Sequence, residues 1–106
     1  MPRDIIRRAF RSFGPRTALV SSRGVLTFDE LADRVRRWCG LLAEWGVGPS
    51  SRVFVQLKDD GEFIEIDLAL YLTGAVVMFF HEATPPAFVA GAARVFHPVL
   101  FLHDPA

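Results

Sequence analysis

Cysteine is nearly missing from this chain. Cys39 stands alone, so no disulfide can close within the 106 residues and no cysteine-based metal framework can form. It falls in the middle of an expected helix, without the cationic or helix-N-terminal setting that makes a thiol reactive. No apolar run approaches the length of a membrane span, and the first residues have no apolar centre of a signal peptide. The expectation is a cytoplasmic protein with no membrane span. An excess of one charge is missing too: 12 basic and 12 acidic residues cancel. That balance removes the electrostatic reason to expect nucleic acid or an anionic membrane as a partner. Phosphate-binding glycine loops are also lacking. Neither G-x-x-x-x-G-K-[ST] nor G-x-G-x-x-G occurs, and "GVGPSS" (46–51) follows a helical pattern, not a strand. There is no G-x-S-x-G elbow, and Ser12, Ser21, Ser22, Ser50 and Ser51 have no histidine at short range.

What is present is core material. Apolar residues make up 51% of the chain and charged residues 23%, and the aromatics are 10 Phe, 2 Trp and 1 Tyr spread along its length. That composition fits one modest globular domain and argues against disorder. The start is locally basic, with Arg3, Arg7, Arg8, Arg11 and Arg16 against Asp4 alone. Two readings stand: a phosphate or lipid patch, or the solvated face of an amphipathic helix with Ile5, Ile6, Ala9, Phe10 and Phe13 underneath. The second is preferred.

Periodicity predicts a helix over 4–13, closed by Gly14-Pro15. "TALVSS" and "VLT" read as strands around a tight turn at Ser22-Arg23-Gly24. Thr27 with Glu30 forms a capping box for a long helix burying Leu31, Val35, Trp38, Leu41, Leu42 and Trp45, which Gly46 closes in the left-handed conformation. "RVFVQL", "AVVMFF" and "VLFL" are apolar runs suited to strands covered on both faces. Between them lie "EFIEIDLALYLTG", capped by Asp59 with Glu62, and "PAFVAGAARVF", capped by Thr84 with Pro85 in its first position. The expected fold class is therefore α/β: an N-terminal helix and β-hairpin, then α-β-α-β-α-β with a mostly parallel sheet joined by right-handed crossovers. The sequence stops after its last strand, at "HDPA". Residues 1–106 are thus expected to be a single partial domain, with 1–15 as helix and lead-in, and its sheet would keep an open edge and an uncovered face.

Few residues suggest chemistry. "FFHEATPP" sets His81 beside Glu82 at the carboxyl end of a parallel strand, where open α/β sheets place ligands. This pair is the candidate site, as acid/base or metal ligand, against the alternative of a loop histidine satisfying backbone groups. His97 and His103 flank the last strand and read as turn residues, and the three histidines match no metal-ligand spacing. Asp59, Asp60, Glu62, Glu65 and Asp67 could hold Mg²⁺, but acids in a first helical turn are favoured by the helix dipole anyway.

The order of segments says more. "LTFDEL" (26–31) resembles the first core motif of the adenylate-forming superfamily, Leu-Thr/Ser-Tyr-x-Glu-Leu, with Phe28 in place of Tyr. This superfamily comprises acyl-CoA synthetases, peptide-synthetase adenylation domains and luciferases. "LYLTGAVVMFF" (70–80) resembles its second motif, and the stretch between is similar to the family's Leu-Gly-Val-x-x-Gly-Asp-Arg-Val, strand, Asn-x-x-Glu-Phe, helix. The chain departs from the pattern at Ser50-Ser51, at Asp59-Asp60-Gly61 and at Met78-Phe79-Phe80-His81-Glu82. The resemblance covers residues from about 10 to 104. It implies an ATP-dependent ligase that makes an acyl-adenylate and then a thioester, using ATP, Mg²⁺ and either CoA or a carrier protein's phosphopantetheine. The family's phosphate loop, adenine pocket, ribose-binding Asp and C-terminal Lys have no counterpart in these residues. No catalytic, cofactor-binding or metal residue is therefore carried over, and these residues alone are expected to be inactive. The partners implied are the remainder of an adenylating enzyme or, alternatively, a second copy or other partner on the exposed apolar sheet.

Overall fold

A computed structural model describes residues 2–21, 24–58 and 60–104. Helix α1 (Pro2–Ser12) leads into an antiparallel hairpin of β1 (Thr17–Ser21) and β2 (Gly24–Thr27), with Leu19 opposite Leu26 and Val20 opposite Val25. The turn residues Ser22 and Arg23 lie outside the described residues. Helix α1 docks through aromatic rings: Phe28 has its centroid 6.4 Å from Phe10 and 5.7 Å from Phe13. The expectation that all its apolar residues lie underneath needs correction, because Ile5 is 64% and Phe13 42% exposed.

Helix α2 (Phe28–Glu44) begins as its sequence indicates. The Thr27 hydroxyl accepts the Glu30 N–H at 3.1 Å, and the Glu30 carboxylate accepts the Thr27 N–H at 2.9 Å, so two otherwise unpaired donors of the first turn are satisfied. Leu31, Val35 and Leu42 are buried and Trp38 is half-buried. Leu41 and Trp45, expected in the same stripe, are 39% and 49% exposed. At about 100° per residue Leu42 returns to within about 20° of Leu31, whereas Leu41 sits about 80° away, on the edge of the stripe. Trp45 is already the C-cap, and Gly46 follows with φ +81°. The loop then returns Val47 to the core, 5% exposed.

The parallel sheet has the order β4-β3-β5, with β3 (Arg52–Gln56) in the centre, β4 (Val76–Phe79) on one side and β5 (Leu100–His103) on the other. Register pairs Phe54 with Met78 and with Phe101, and Gln56 with His103. Alternation along β3 divides its side chains between two layers. Val53 and Val55 join α2 and α3 (Asp60–Thr73) in the larger core, with Ile66, Ala69 and Leu70. Phe54 faces the other way, onto α4 (Pro86–Phe96), with Phe80, Val89, Ala93 and Phe96. The expected cap at Asp59 lies outside the described residues.

Two further expectations change. Thr84 does not cap α4: its N–H donates to the His81 carbonyl at 2.9 Å, and the N-cap is Pro85, with Pro86 in the first turn. A residue before proline is held extended, so the Thr84-Pro85-Pro86 run delays the helix by one residue. The strands also differ in cover. Strand β3 is buried throughout its middle, but Val76, Met78 and Phe79 of β4 are 48%, 37% and 40% exposed, and Phe101 is 39%. Among the described residues of this sheet, only those of the central strand are enclosed on both faces.

Candidate functional site

The chain leaves β3 through α3 on one face and returns across β3 to β5 through α4 on the other. The direction of winding reverses between β3 and β5, and open α/β sheets bind ligands at the carboxyl ends of such a pair. A crevice of about 690 Å³ lies there. Its floor is Phe54, Phe101, Val89 and Ala93; its rim is Gln56 and Lys58 after β3, Glu82 to Pro86 after β4, and His103 and Asp104 after β5.

Hydrogen bonds hold this mouth together. The Gln56 side-chain amide donates to the His81 carbonyl at 3.0 Å and to the Thr84 carbonyl at 3.2 Å, tying the β4–α4 loop to the central strand. The Lys58 N–H donates to the Asp104 carboxylate at 2.8 Å, joining the ends of β3 and β5. The His103 ring nitrogen Nδ1 donates to the Asp104 carbonyl at 2.8 Å, with its ring against Phe101. These contacts shape an apolar floor with a mixed-charge rim.

Of the predicted pair, Glu82 reaches the rim of the crevice. His81 is exposed, and its Nδ1 accepts the Ala83 N–H at 3.0 Å, so one ring nitrogen serves its own loop. His97 instead takes the left-handed C-cap of α4, φ +52°, as a turn residue, while His103 is the last residue of β5 and not a turn. The described residues contain no group of three or more His, Cys, Asp or Glu that could hold a metal ion, so His81, Glu82 and His103 are not assembled as a ligand set.

The acids of α3 are dispersed. Glu65, 4% exposed, faces α2, where the Arg34 guanidinium lies 4.0 Å away. Asp67 lies on another side of the helix, and desolvation by burial raises its carboxyl above the usual 3.8. Asp59 lies outside the described residues. The segment entering α3 reads Leu57-Lys58-Asp59-Asp60-Gly61-Glu62, which would set negative charge where a triphosphate needs backbone N–H groups and cations. Those acids would repel a triphosphate, and the described residues contain no group of three or more His, Cys, Asp or Glu assembled to hold its Mg²⁺. Sequence reasoning missed Gln56, Lys58 and Asp104 because they meet only through strand pairing. Glu65 stood in the acidic cluster, but its pairing with Arg34 has no local signal because that partner lies on a different helix.

A family model described as AMP-binding enzyme matches residues 6–105. The chain belongs to this family of adenylate-forming proteins. Among solved structures, an artificially fused adenylation–PCP di-domain peptide synthetase, NpsA–ThdA from Klebsiella oxytoca, superposes with a TM-score of 0.91 at 20% identity, over 98% of this chain and 20% of that one. The N-terminal subdomain of Klebsiella oxytoca NpsA bound to 3-hydroxybenzoyl-AMSN gives 0.89 at 20% identity, over 98% of this chain and 26% of that one. VinN gives 0.87 at 18% identity, over 93% and 25%. At such identities the likeness concerns the fold, and the chain spans a quarter or less of NpsA–ThdA and VinN, and 26% of the NpsA subdomain. No curated protein sequence matches the chain. Among the described residues no helix is long and apolar enough to cross a membrane.

Proposed function

We propose that these residues form the N-terminal scaffold of an ATP-dependent acyl-activating ligase. The whole enzyme would join a carboxylate to the adenylyl group of ATP and then pass the acyl group to a thiol, of CoA or of a carrier protein's phosphopantetheine arm. ATP and Mg²⁺ would be held by residues other than these. The role of this part is to build the α2–α3 layer and the β4-β3-β5 sheet on which the rest of such an enzyme packs. Neither His81 nor Glu82 takes part in bond making in this reading. The observation that carries it is the family match over residues 6–105, on a sheet whose outer strands keep Val76, Met78, Phe79 and Phe101 exposed.

Calorimetric titration of the folded 106-residue chain with Mg·ATP, and with a non-hydrolysable acyl-adenylate, is the test. The expected result is no heat above that of an unrelated protein. Micromolar affinity for either ligand would overturn the reading.

The same exposed apolar strands favour a second reading, a module that pairs with itself or with another protein over the open sheet. Light scattering separates the two. A monomer at micromolar concentration favours the scaffold, and a stable dimer favours the module.

A further inference from the structure

A second cavity, of about 600 Å³, lies among α1, α2 and α3 and shares no lining residue with the crevice. Its floor is apolar: Val35 is 2% exposed, and Phe10, Leu72 and Cys39 are half-buried. Its rim is cationic: Arg7 and Arg11 of α1 reach it from one side and Arg36 of α2 from the other. Thr73 also lines it, but the Thr73 hydroxyl hydrogen is already donated to the Ala69 carbonyl at 2.8 Å. Arg36 pairs with exposed Asp33 at 2.7 Å. Among the described residues Arg7 and Arg11 have no ion pair. Arg11 lies in the last turn of α1, where the helix dipole favours a cation, but Arg7 does not, and two like charges four residues apart weaken a helix. A guanidinium fork is, however, the group best matched to a carboxylate or phosphate. The volume lies within the range of small-molecule sites.

We infer that this cavity binds an anionic amphiphile, a molecule with one apolar chain and a phosphate or carboxylate head. The chain lies on Phe10, Val35, Cys39 and Leu72, and the head meets Arg7, Arg11 and Arg36. This goes beyond the acyl-activating reading, and its test uses neither ATP nor an acyl-adenylate, so the two fail separately.

Cys39 supplies the readout. It is the only cysteine and lines the cavity, so an occupant slows its alkylation by iodoacetamide. Decyl phosphate, held below its micelle concentration, should slow labelling saturably, by at least about threefold, while inorganic phosphate and the neutral decyl maltoside leave the rate within about 20% of the free protein, since neither supplies both head charge and chain. The double substitution Arg7→Gln/Arg11→Gln should weaken the decyl phosphate effect about tenfold or more, through lost charge-assisted bonds. The Arg7→Lys/Arg11→Lys pair, which keeps the charge, should retain part of it. Unchanged labelling of both variants without ligand shows that α1 still covers the cavity. Equal protection by decyl maltoside, no protection by decyl phosphate, or protection in the Gln pair equal to the wild type would each overturn the inference. So would protection by phosphatidylserine vesicles alone, which would assign the arginines to a membrane surface instead.

Discussion

Replacing Phe54 tests how the second face of the sheet is held. Its side chain is 1% exposed at the centre of β3, with Phe80 at 4.8 Å, Phe96 at 5.3 Å and Phe101 at 6.0 Å between ring centroids. Phe80 and Phe96 frame α4 in the sequence, so this one ring ties β3 to the helix that covers it. Truncation to alanine loses the transfer free energy of the ring and leaves a cavity, together costing about 3–5 kcal/mol. A domain of this length has only about 5–15 kcal/mol in all. At roughly 4–5 °C per kcal/mol for about 100 residues, Phe54→Ala should lower Tm by about 12–25 °C. Phe54→Leu, which keeps most of the apolar volume, should cost about 1–1.5 kcal/mol. Val95→Ala, at a position 84% exposed on the same helix, should change stability by less than about 0.5 kcal/mol. Urea unfolding followed by tryptophan fluorescence measures all three. A loss below about 1 kcal/mol for Phe54→Ala would refute the packing of α4 on this face.

Other perturbations have definite expected signs. Thr27→Ala should cost about 1 kcal/mol by opening the capping box of α2, seen as a lower midpoint in urea. Gly74 has φ +85°, and a Cβ there would meet Pro49 only at ordinary contact distances of 3.5 and 3.7 Å; Gly74→Ala should therefore cost only the backbone term, about 1–2 kcal/mol in Tm measurements. Asp67 binds its proton more tightly in the folded chain than in the unfolded one, so its contribution is present at low pH and is lost as pH rises from 3.8 through the raised folded value. Asp67→Asn should accordingly raise Tm at pH 7 and leave it nearly unchanged at pH 3; a stabilisation as large at pH 3 would refute the assignment.

The parts of the fold that depend on local order are legible in the sequence. The capping box at Thr27 and Glu30, the stripe of Leu31, Val35 and Leu42, and the left-handed Gly46 are written within neighbouring turns. Strand β3 is legible because it is apolar at consecutive positions and is in fact covered on both faces. The same composition misleads for β4, where Val76, Met78 and Phe79 are apolar yet exposed: an apolar run reports what a strand could bury, not what packs against it. The α4 cap is displaced because two adjacent prolines restrain the residues before them more strongly than a threonine hydroxyl attracts an N–H. At the crevice, the strand end bearing His81 and Glu82 is legible, but the hydrogen bonds of Gln56 and Lys58 join positions 25 to 46 residues apart. No local pattern encodes those meetings. The same holds for the cavity under Arg7, Arg11 and Arg36, where a basic run acquires a floor only when α1 docks on α2.

Amide hydrogen exchange on the monomer tests most directly the claim that the sheet is an open scaffold. The Val76 and Phe80 N–H groups donate to the Ser51 and Val55 carbonyls of the β3 side at 2.8 and 2.9 Å. By alternation the Val77 and Phe79 N–H groups point to the open edge. The account predicts that amides of Val53, Phe54 and Val55 exchange slowest of all, while Val77 and Phe79 exchange at rates close to those of unprotected peptide. Slow exchange of Val77 and Phe79, matching that of β3, would mean a closed and fully covered fold and would contradict it.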